Sequence, residues 1–71
     1  MQDHNYKVIE LVGSSETSVD DAINTAIARA NKSVRHLRWF EVVQVRGHID
    51  QGKVKHFQVS LKVGFLMEDA A

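Results

Sequence analysis

The segment RHLRWFEVVQVRGHIDQGKVKHFQVSLKVGF, residues 35–65, decides the fold. Trp39 to Ile49 is rich in β-branched and aromatic residues and reads as a strand. Asp50-Gln51-Gly52 breaks the pattern, and Gly52 supplies a left-handed residue for a three-residue hairpin loop. The chain then returns from Lys53 to Met67 in sharp alternation. Phe57, Val59, Leu61, Val63, Phe65 and Met67 fall on one face; His56, Gln58, Ser60 and Lys62 fall on the other.

Upstream, Tyr6 to Val12 (YKVIELV) reads as a first strand ending at the turn cluster Gly13-Ser14-Ser15. Ser18 with Asp21 three residues on fits a capping box that opens a helix. Val19, Ala22, Ile23, Ala26, Ile27, Ala30 and Val34 recur at spacings of three and four, one apolar stripe, and the helix is expected to fade near Val34 to His36. The fold class is α+β: β-α-β-β, one helix packed on a three-stranded antiparallel sheet. A right-handed crossover from the first strand to the second leaves room for the third between them, so the expected order is 1-3-2. The face away from the helix is expected to carry Phe40 and Val42 beside Gln44, Arg46, Gln58 and Ser60.

A chain of 71 residues makes a single domain, 1–71. At this size only about 60% of the unfolded surface is buried on folding, so small domains lean on disulfides, metals or assembly. Cysteine is absent and no metal-ligand spacing is visible, which leaves self-association. A half-apolar outer face and open sheet edges point the same way. Nine basic and nine acidic residues cancel, so the charge footprint of a nucleic-acid binder is missing. The start Met1-Gln2-Asp3-His4 does not resemble a signal peptide and no apolar run is long enough to span a bilayer, so a cytoplasmic location is expected.

Two side chains invite a binding reading. Trp39 is either a packed core indole or an exposed flat face at a strand entrance, flanked by Arg38 and Glu41. Gln58 is either a solvated strand residue or an amide whose acceptor and two donors match a heterocycle edge. With Ile49 paired to Lys53, Trp39 and Gln58 point to opposite faces. They then serve one ligand only if a bulge shifts the register or two subunits contribute one each. Arg46 reaches a ligand or pairs with Glu41 or Glu10. Arg29, Lys32, Arg35 and Arg38 hold a phosphate or complement the helix dipole. His4, His36, His48 and His56 lack H-x-H or H-E-x-x-H spacing, although His48 and His56 approach across the hairpin. Ser14-Ser15 has no G-x-S-x-G context, and no nucleophile with a partner base is visible, so no enzymatic activity is expected.

The strings YKVIELVGSS, A-I-x-x-A-I-A-R-A, RHLRWFEVVQVRGHI and GKVKHFQVSLKVGF closely resemble the dodecins, from Tyr6 to Phe65. The resemblance implies hollow homododecamers of β-α-β-β subunits. It implies flavins (riboflavin, FMN or FAD) bound as stacked pairs between tryptophans of symmetry-related subunits, for storage or sequestration, with quenching of the excited state. By that likeness Trp39 stacks on the ring, Gln58 hydrogen-bonds its edge and Arg46 lies near the ring or its phosphate. Some bacterial members also bind coenzyme A, at positions that include Arg29 and Arg35 here. Many bacterial members end G-F-R-L-E where this chain has Gly64-Phe65-Leu66-Met67-Glu68, so a preference for phosphorylated flavins does not follow from the likeness. The rival reading is a structural or coenzyme A-binding oligomer in which flavin is secondary and Trp39 is interface packing.

Overall fold

The computed structural model describes residues 4–67; Met1, Gln2, Asp3 and Glu68, on which some of the reading above falls, lie outside the described residues. The chain runs β1 (Tyr6–Ser15), α1 (Val19–Ala30), β2 (Leu37–Asp50) and β3 (Lys53–Leu66). The strands form one sheet in the order β1-β3-β2, and both pairings are antiparallel. The expected β-α-β-β topology and strand order hold.

The core is small. Val59, Leu61 and Val63 of β3 are at most 1% exposed, under Ala22 of α1. Ile9, Leu11, Val19, Ile23, Ala26, Ile27 and Leu37 pack around them. The alternation of β3 and the stripe of α1 therefore meet as expected, except that Met67 lies past the end of β3 and is exposed. β1 runs on through Gly13, Ser14 and Ser15 instead of turning at them. Gly13 makes this possible, because a β-carbon there would overlap the backbone of Ala22.

At the start of α1 the Ser18 hydroxyl accepts from the Asp21 amide at 3.0 Å, the expected N-cap. The reciprocal half differs from a capping box. Buried Ser15 donates to the Asp21 carboxylate at 2.7 Å and accepts from the amides of Thr17 and Ser18 at 2.9 and 3.2 Å. The helix ends at Ala30, short of Val34. Asn31, Lys32 and Ser33 close it with tight turns, and the Val34 amide still donates to the Ala30 carbonyl at 2.9 Å.

The hairpin departs from expectation at its tip. Asp50, not Ile49, pairs with Lys53, and Ile49 pairs with Val54. The loop is two residues, Gln51 (φ 54°) and Gly52 (φ 74°), both left-handed as a type I′ turn requires. Glutamine is a poor left-handed residue and asparagine a good one. Gln51→Asn is therefore expected to stabilise the protein by about 0.5 kcal/mol, read as a higher midpoint in chemical denaturation.

The molecule is long and thin, 56 × 20 × 13 Å, with a radius of gyration of 14.9 Å. A compact chain of this length has a radius near 11 Å. The excess is the β2–β3 arm, since α1 packs on β1 and β3 and barely touches β2.

Candidate binding face

Three irregularities in the β2–β3 ladder decide which side chains share a face. They lie between Leu37 and Trp39, between Val42 and Gln44, and between His48 and Ile49. In an antiparallel pair, directly opposed residues project to the same side. Trp39 opposes Gly64, and Arg46 opposes Gln58. Gly64 and Gln58 have like parity on β3, on the side away from Val59, Leu61 and Val63. Trp39 and Gln58 thus share the outer face. The opposite-face arrangement predicted from an Ile49–Lys53 pairing is overturned, because the extra residue at Val43 resets the phase of β2 between them.

The same phase change moves Phe40 and Val42. They oppose Val63 and Leu61, so they lie on the helix side of the sheet rather than on the outer face. The helix does not reach them there. Phe40, Val42, Val45, Ile49 and Val54 all remain exposed, with Ile49 at 70%. Together they make an exposed apolar strip along one side of the arm.

On the outer face, Trp39 is 41% exposed and lies flat across Gly64. A β-carbon on Gly64 would overlap Cε2 and Cζ2 of the indole, so this glycine is the seat on which the ring rests. Tyr6 meets the indole edge-on, with centroids 6.5 Å apart and 63° between planes. One indole surface is thereby held by backbone and the other is left outward.

Further along, Arg46 Nε donates to Gln58 Oε1 at 2.5 Å. Among the described residues the partner of Arg46 is Gln58, and neither Glu41 nor Glu10 pairs with it. The bond fixes which way the carboxamide points. Its NH2 group and one oxygen lone pair remain for a ligand, beside the rest of a guanidinium. Ser14 opposes Gln58 from β1, on the same face.

Trp39 and Gln58 are nonetheless apart. Six residues of β3 separate their cross-strand positions, roughly 20 Å at the usual strand rise. No planar three-ring ligand touches both within one chain. Arg29 and Arg35 are not brought together either. Arg29 lines a cavity with Val12, Gly13, Ser14, Thr25 and Ala26, whereas Arg35 lines another with Lys7, Ser33, Val34, Phe65, Leu66 and Met67. Leu66 faces outward opposite Tyr6, in the row next to Trp39. Sequence reasoning did not find the part played by Gly64. Its only signal was a glycine in the interior of an alternating strand, which marks a close approach.

Among the described residues no helix is long and apolar enough to cross a membrane. The sequence profile of the dodecin family matches residues 6–68. A dodecin of Thermus thermophilus is 53% identical over 64 residues, covering 90% of this chain and 93% of that protein. The dodecin structure from Streptomyces davaonensis superposes with a TM-score of 0.90 at 44% identity, over 96% of this chain and all of that one. The calcium dodecin of Mycobacterium tuberculosis is more distant, 34% identical over 65 residues, with 92% of each chain covered. On sequence and fold together, the chain belongs to the dodecin family.

Proposed function

We propose that this protein binds flavin without turning it over, storing or sequestering it between subunits of a homododecamer. The observation that carries the reading is the half-exposed indole of Trp39, seated on Gly64 and open on the face that also bears the Arg46–Gln58 pair. An isoalloxazine is flat, electron-poor and edged with donors and acceptors. An indole face suits its plane, and a carboxamide with both functions suits its edge.

The separation of those two groups calls for a second copy. When two outer faces dock about a twofold axis with their arms antiparallel, Trp39 of one chain approaches Gln58 of the other, and the arrangement repeats by symmetry. The uncovered strip at Phe40, Val42, Val45 and Ile49 supplies further contact area for assembly. A small core in an elongated chain is consistent with subunits that reach full stability only together.

When bound, a flavin supplies a light-absorbing, redox-active ring. Trp39, stacked against it, would be the residue placed to donate an electron to the excited ring and take it back, which would quench fluorescence without net chemistry. Arg46 holds the Gln58 amide ready, removing the entropy of choosing its orientation at binding. Leu66 itself gives no positive charge in the row next to Trp39, so no phosphate contact is assigned to that position.

Titrating riboflavin and FMN into the purified protein tests this reading. Emission of both ligands is expected to fall by most of its value on saturation, with affinities within about tenfold of each other, because a surface charge contact that is missing is worth about 1 kcal/mol. A colourless protein that leaves riboflavin emission unchanged would instead be a structural oligomer, with Trp39 as interface packing.

A further inference from the structure

His48 and His56 oppose each other in the β2–β3 register, on the outer face, one row beyond Arg46 and Gln58 toward the turn. Their rings stack with centroids 5.5 Å apart and 13° between planes. Neither imidazole hydrogen-bonds another described residue. A cross-strand pair serving stability alone is usually aromatic, β-branched or of opposite charge, whereas two histidines become like charges face to face once protonated. Their shared asset is a set of ring nitrogens on rigid, paired backbone positions.

We infer that His48 and His56 form a bidentate, exchangeable site for a divalent transition metal of the zinc type. Neutral imidazole suits zinc, copper and nickel. A tetrahedral zinc ion with Zn–N bonds of about 2.0–2.1 Å needs its two nitrogens about 3.3 Å apart. The rings already stack 5.5 Å apart on directly opposed strand positions, so only their side chains need to turn. A carboxylate stands nearby: Glu16, just past β1, lines a cavity of about 340 Å³ with Ser14, Ser15 and His56. No three ligating groups converge among the described residues, so the two imidazoles form the chelate and water, or Glu16 swung inward, completes the shell. The site is unlike a calcium site, because calcium takes six to eight oxygen ligands. A metal here ties β2 to β3 at the exposed end of the arm and stabilises the folded hairpin by mass action.

The site rests on the register and the ring stack and shares the outer face with the proposed flavin contacts, so it is tested without flavin. Calorimetric titration of zinc chloride into the flavin-free, full-length protein at neutral pH is expected to show one saturable zinc per chain. His48→Gln and His56→Gln should each weaken it at least about tenfold; His4→Gln and His36→Asn should leave it in place. Calcium chloride should give no saturable heat. Copper(II) added to the unsubstituted protein gives a second readout that needs no variant: its electron paramagnetic resonance spectrum should carry the splitting of two imidazole nitrogens. Absence of saturable zinc binding, undiminished binding in both glutamine variants, or a copper spectrum with fewer than two nitrogens would overturn the site.

Discussion

Gly13→Ala is expected to lower the stability of the protein by about 3 kcal/mol or more, the upper part of the range for overpacked cores. The added β-carbon would meet the carbonyl oxygen and carbon of Ala22 and the β-carbon of Ala26. The first two are backbone atoms in the first turn of α1, and Ala22 is fully buried. No side-chain rotation relieves the overlap, so the helix must lift from β1 and with it from Val59, Leu61 and Val63. That opens the only core the described residues possess. Gly52→Ala makes the control. Gly52 has a φ of 74° but nothing lies within 4 Å of a β-carbon built there, so only the left-handed penalty of about 1–2 kcal/mol applies. Denaturation midpoints of the two variants measured in parallel should rank Gly13→Ala well below Gly52→Ala. Equal midpoints would mean that α1 is not seated on β1 as described.

The elements were legible in the sequence because β3 and α1 each carry a clean period and β1 and β2 are rich in β-branched and aromatic residues. β3 alternates without a break from His56 to Phe65, and the stripe from Val19 to Ala30 has no competing pattern. The outer face was misread for one local reason. Val42 and Val43 are the same residue type, so the alternation of β2 can change phase between them without any change in polarity to mark it. Arg38 hides the irregularity between Leu37 and Trp39 in the same way, as one more basic residue in a basic stretch. The turn was misassigned because Gln51 is not among the residues that announce a type I′ loop. Ser15 looked like part of a turn, and its buried role in holding Asp21 and the first amides of α1 depends on a strand end that only the folded chain defines.

Of the candidate site, Trp39, Gln58 and Arg46 were visible as residue types, and their relation to one another was not. The bulge at Val43 places Trp39 and Gln58 on one face, and the length of β3 keeps them too far apart for one ring. Together these two facts underlie the proposal that a second copy completes the site. The Arg46–Gln58 bond was not among the pairings expected for that arginine, and it follows from the cross-strand register that sets the two residues opposite each other.

Replacing Trp39 with alanine has the other large expected effect, and it bears on ligand binding rather than on folding. The indole sits on the sheet surface over Gly64, outside the cluster formed by Ala22, Val59, Leu61 and Val63. Its removal leaves the interior of the chain unchanged. Truncating a central aromatic anchor costs about 2–4 kcal/mol of binding, roughly 30- to 700-fold in affinity. The variant also loses the electron donor, so any riboflavin that still binds should keep most of its emission.

The decisive measurement is a riboflavin fluorescence titration of Trp39→Ala beside the unsubstituted protein, with the mass of both assemblies determined on the same samples. The stacking account predicts equal masses, strong quenching for the unsubstituted protein, and an affinity lower by at least about 30-fold with little quenching for the variant. Equal affinity and equal quenching in the two proteins would show that no flavin rests on this indole.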